Sequence, residues 1–138
     1  MTYLPVTPGT IELELVSTYV STNLSTPQRA GGRIIDLSTY PAVIESFTRS
    51  VAFKADLETT AGTCHVTLHN VTSGEDVTGA VFTTTNTTNT EISGTLTVGV
   101  AAGNLKTGEV YEVTVWITGG SVADRAVVTN ARLSISYA

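Results

Sequence analysis

Apolar and polar residues alternate with a period of two along most of this chain, the pattern of strands that bury one face and wet the other. The clearest case is VAFKADLE over 51–58: Val51, Phe53, Ala55 and Leu57 fall on one side, Lys54, Asp56 and Glu58 on the other. The same alternation predicts strands over 11–16, 33–37, 43–58, 63–69, 77–84, 91–98, 109–118 and 126–137, about eight in all. Gly, Asp and Ser clusters at 60–62, 73–76, 104–108 and 119–121 supply the reversals between them. No window carries a helical period beyond one turn at 101–105, and without helical crossovers the strands must pair antiparallel.

Short strands with turn signals at regular spacing make an all-β fold. The expectation is a single antiparallel β-sandwich domain over 11–138, of jelly-roll or Greek-key type, preceded by an extended N-terminal arm over 1–10 with Pro5 and Pro8. Residues 17–31 read as a long polar insertion before the second strand, and TTTNTTNT over 83–90 as loop or a flat polar edge.

The stretch TCHVTLHN, 63–70, holds the only cysteine and both histidines. On a strand, Cys64, Val66 and Leu68 face inward, and Thr63, His65, Thr67 and His69 face outward. Cys64 is then a small buried hydrophobe with its thiol protonated. Four residues of strand separate the histidine α-carbons by about 13 Å, too far for one ion to bridge. A metal would need one histidine plus ligands from elsewhere, and no HxH, HExxH or CxxC spacing offers them. No catalytic residue, cofactor or metal site is therefore expected.

The carboxylates each have a plain explanation. Glu12 and Glu14 alternate outward on the first strand, Asp56 and Glu58 face out beside Lys54, and Glu75 and Asp76 fall in a turn. Trp116 is different. In YEVTVWIT the residues Tyr111, Val113, Val115 and Ile117 share one face, which leaves the lone tryptophan on the polar face with Glu112 and Thr114. There it can stack on a sugar ring, anchor a neighbouring subunit, or be capped by the 17–31 segment. Tyr19 and Tyr40 are candidate loop partners for it, and Tyr3 and Leu4 are candidate contacts on the arm.

Composition narrows the partners. The formal net charge is −5, with seven Lys and Arg scattered along the chain. That gives no basic face for nucleic acid and none for an anionic membrane surface. Charged residues make up 14% of the chain, against roughly 25% in typical soluble domains. Threonine stands where charges usually do, and a neutral hydroxyl surface is cheaper to desolvate against another macromolecule. One cysteine cannot form an internal bridge, and MTYLPVTPGT shows no signal-peptide pattern.

The order VAFKADL, then CHVTLHNVTSGEDV, then TTTNTTNT, then GEVYEVTVWITGG, then NARLSISY resembles small jelly-roll-type β-sandwich proteins of tailed bacteriophages, such as capsid decoration proteins and fibre heads. The likeness spans about 43–138. It implies a non-enzymatic virion structural protein, made in the host cytoplasm, that binds the major capsid protein and itself, often as a homotrimer. On this expectation the chain is a capsid decoration or cement subunit whose arm clamps a neighbour. The alternative is a carbohydrate- or receptor-binding β-sandwich module in which Trp116 forms the stacking platform for a glycan.

Overall fold

The computed structural model describes residues 9–138 and places ten strands there: β1 (Gly9–Val16), β2 (Val20–Thr22), β3 (Gln28–Ile35), β4 (Val43–Ile44), β5 (Phe47–Thr59), β6 (Thr63–Asn70), β7 (Glu75–Thr84), β8 (Thr90–Leu96), β9 (Glu109–Thr118) and β10 (Ala126–Tyr137). All their pairings are antiparallel, and the described residues contain no helix. One sheet runs β1-β10-β5, with β8 and the short β4 sharing the far edge of β5 and β2 continuing the line of β1 along β10. The other runs β3-β9-β6-β7. With β2 and β4 set aside and the long strands numbered in chain order, the sheets read 1-8-3-6 and 2-7-4-5. That is two interleaved Greek keys, a jelly roll.

The core lies between the sheets, as alternation requires. Phe53, Leu57, Leu133 and Ile135 from the first sheet meet Val66, Leu68, Tyr111, Val113 and Val115 from the second. Phe53 and Phe82, one from each sheet, stack with ring centroids 5.3 Å apart. In β10 the inward set changes parity, from Ala126 and Val128 to Ala131, Leu133, Ile135 and Tyr137. A bulge between Val128 and Asn130 allows both sets to face the core.

Both open edges of the sandwich close at glycines. A Cβ on Gly94 (β8) would collide with the carbonyl oxygen of Gly79 (β7), and a Cβ on Gly31 (β3) with that of Leu15 (β1). At these points the backbones of the two sheets approach within the space a side chain would need.

The 17–31 segment is not a loop insertion. It contains β2 and the first half of β3, and the second long strand is 28–35 rather than 33–37. Its pattern is weak because Gly31, facing Val113 in register, has no side chain, and Arg33, opposite the buried Tyr111, is exposed. The 43–58 run is also two strands. Val43 pairs with Thr48 and Ile44 with Phe47, so Glu45 and Ser46 form a two-residue hairpin turn with Glu45 at φ 53°. The TTTNTTNT tract divides into the end of β7, a loop over 85–89 and the start of β8. Residues 9 and 10 of the expected arm belong to β1; residues 1–8, with Tyr3 and Leu4, lie outside the described residues.

Candidate functional site

Cys64 is buried, and its thiol lies 3.8 Å from the Val127 carbonyl on the opposite sheet. Burial pushes its pKa up to about 11. Both histidines stand on the other side of β6, so the cysteine has no base beside it.

The outer face of the β3-β9-β6-β7 sheet is arranged in rows across the strands. Trp116 on β9 lies directly opposite His65 on β6. Their ring centroids are 5.0 Å apart and their planes 6° from parallel. That separation is close to the spacing of neighbouring strands, about 4.8 Å. The two rings therefore stand upright on the sheet, face to face across the ladder. His65 covers one face of the indole, and its own Nε2 is held by the Thr118 hydroxyl at 2.8 Å. Burial lowers the pKa of His65 below the ordinary 6.5.

Beside Trp116 opens a groove of about 270 Å³, lined also by Pro27, Arg29, Glu112, Thr114, His69 and Asp76. In the row formed by Glu112, His69 and Asp76, Nδ1 of His69 lies 2.8 Å from Asp76 Oδ1. An ionised carboxylate only accepts, so Nδ1 donates and Nε2 remains for another partner. Arg29 reaches Glu112 at 3.7 Å, and its side chain is largely exposed. In the row between these two, Thr67 faces Thr114 and Val81 on the outer side of the sheet. Thr67 is buried under its neighbours, and its hydroxyl has no partner among the described residues.

The groove thus has an apolar wall, made by the Trp116 indole and Pro27, and a rim of carboxylate, guanidinium and imidazole groups. Apolar lining with a few convergent polar groups is the usual make-up of a small-molecule site.

Trp116 faces outward at the groove, as its parity requires. Tyr19 is 64% exposed on the loop between β1 and β2, at the edge of the other sheet, and does not line the groove. Tyr40 packs partly against the core in the loop before β4. It follows Ile35, which pairs with Glu109 at the opposite end of β9 from Trp116. The expected aromatic cluster of Trp116 with Tyr19 or Tyr40 therefore does not form. Asp76, expected in a turn, is the second residue of β7, and Glu75 beside it binds Lys106 at 2.7 Å. Pro27, Arg29, His69 and Glu112 had no signal as a group, because only the cross-strand register brings them together.

No family model and no curated protein matches this sequence. Among solved structures, a chain described as "Carbohydrate-Binding Module CBM36 in complex with calcium and xylotriose" is similar over 88% of this chain and 99% of its own, with 15% identity and a TM-score of 0.40. At that level the likeness bears on neither ligand nor site residues.

Proposed function

We propose that this chain is a carbohydrate-binding β-sandwich module whose ligand stacks on Trp116. The observation that carries this reading is the upright indole. One of its faces is covered by His65, and the ring lines a groove rimmed by paired polar groups. A pyranose offers an apolar C–H face and a girdle of hydroxyls, and the groove has a counterpart for each. The indole takes the apolar face. Asp76 and Glu112 accept from hydroxyls, and Arg29 donates to them. His69 Nε2 is available to a third. Arg29 of the rim is paired with Glu112 and the His69 imidazole with Asp76, so the site suits an uncharged sugar better than an anionic one.

The test is a broad glycan array with the wild-type chain and Trp116→Ala. The expected result is binding to neutral glycans that falls tenfold or more in the variant, equivalent to about 1.4 kcal/mol. An array without a hit, or binding indifferent to Trp116→Ala, would overturn the reading.

A second reading is assembly as a virion subunit, and one observation favours it. Ile34, 59% exposed, pairs with Val110, and the Val110 carbonyl accepts from the exposed Val71, so three aliphatic residues adjoin at the far end of the same face. Exposed apolar patches are often covered by partners. Light scattering on purified chain reads this: a trimer dissociated by Ile34→Lys supports it, and a monomer that ignores capsid shells in co-sedimentation opposes it.

A further inference from the structure

We infer that the groove beside Trp116 is one half of a longer track, and that the ligand is an extended, uncharged oligosaccharide chain rather than a single terminal sugar. This deepens the carbohydrate reading and rests on it.

A second depression, of about 410 Å³, lies between Asn23–Ser25 on one side and the run from Ile117 to Val122 on the other. The two depressions have separate linings, but both draw on β9 or the turn after it and on the 23–29 segment. The Leu24 carbonyl accepts from the Ile117 amide at 3.0 Å, and Gln28 pairs with Val115. Between these two contacts the segment advances four residues against two of β9, bending at Ser25 and Thr26, and so links one depression to the other. Trp116 lines the first and Thr118 the second, and Thr118 is also the residue that holds His65. From Glu112 to Thr118 the track follows six residues of strand, about 20 Å at ~3.3 Å per residue. That is several times the width of one pyranose ring.

The chemistry of the second half fits a neutral polyol. Among the described residues no charged one lines it; its walls offer one amide, several hydroxyls and the side chains of Leu24 and Val122, the latter 88% exposed. It is also built in advance. Asn23 Nδ2 donates to the Val122 carbonyl at 3.2 Å, tying the walls together. Asp124 accepts from the amide of Ser121 at 2.7 Å and from its hydroxyl at 3.1 Å. Gly119 and Gly120, at φ 74° and 71°, make the bend that only glycine adopts readily. A preformed wall needs little ordering when a ligand arrives.

The experiment is a titration with neutral cello-, manno- and xylo-oligosaccharides from disaccharide to hexasaccharide, with amide chemical shifts followed by NMR. For the family that binds, affinity should rise tenfold or more with chain length. Only the longer chains should perturb Gly119 and Gly120. Val122→Glu, in an exposed turn where the fold is not at risk, should weaken the hexasaccharide and leave the disaccharide unchanged. Trp116-dependent binding that is flat with length and silent at Gly119 and Gly120 overturns the track but keeps the carbohydrate reading. Failure of all three families at every length overturns the track.

Discussion

The two outer faces of this sandwich are built on the same alternation and use it differently. On the face formed by β1, β10, β5 and β8, the outward positions bind the strands to one another. Arg132, only 16% exposed, donates to Glu91 at 2.7 Å and Asp56 at 3.4 Å and lies 3.7 Å from Glu12. Asn130 donates to Glu14 at 2.8 Å. Burial disfavours the charge on Arg132, but the bond to Glu91 and the fields of Asp56, Glu91 and Glu12 outweigh it, and its pKa is raised. On that face Arg132 and Asn130 tie all four long strands together, although Lys54 and Glu58 stand outside the network. On the face formed by β3, β9, β6 and β7, the outward side chains pair locally, and Trp116, His69 and the mostly exposed Arg29 line a groove. On the proposed reading, this opposite face is the binding surface.

The largest expected effect strikes both faces at once. Gly94→Ala forces a methyl group into the Gly79 carbonyl at the seam between the sheets. It should cost about 3 kcal/mol, measured as a shift in the urea midpoint. A near-neutral result would mean the sheets do not touch there, and the two faces would not share one rigid base.

Next comes Arg132→Met, which takes from Glu12, Asp56 and Glu91 the cation they share. Partly exposed networks of this kind are worth about 1 kcal/mol, so thermal stability should fall modestly while glycan affinity stays level. Trp116→Ala should do the reverse. If either variant moves both quantities strongly, the division between scaffold face and binding face is wrong.

The smallest effect is one of pH. The pKa of His65 is lower in the folded chain than its ordinary 6.5, because burial disfavours the charged ring. Between those two values the unfolded chain binds the proton more readily, so stability is full above about 6.5 and declines as pH falls below it. Imidazolium stacked on the indole should also alter tryptophan emission, with a midpoint below the ordinary histidine value. His65→Phe should remove both responses. A midpoint at or above that value would mean His65 is not shielded by the stack.

The strands that make the core were legible because their inward positions carry large side chains: Val51, Phe53, Ala55 and Leu57 on β5, and Tyr111, Val113, Val115 and Ile117 on β9. β3 was half hidden, since Gly31 sits where a side chain would strike the Leu15 backbone and so leaves no apolar mark. The turn at Glu45 was hidden because a glutamate in the left-handed region has no characteristic neighbours. At the site, the outward parity of Trp116 and His65 could be read from alternation. Their stacking could not, because it depends on the register between two strands some fifty residues apart. Pro27 and Arg29 lie in the polar 17–31 stretch, whose pattern predicts an insertion, and Asp76 ends a Ser-Gly-Glu-Asp run, whose pattern predicts a turn. The groove is a property of register and bulges, and neither leaves a local trace.

Trp116 is the only tryptophan in the chain, so its fluorescence reports the proposed contact without labelling. Titration of the wild-type chain with the neutral oligosaccharide that binds it best should give a saturable change in emission whose midpoint matches calorimetry. Binding seen by calorimetry with an unchanged spectrum would place the ligand elsewhere and contradict the account.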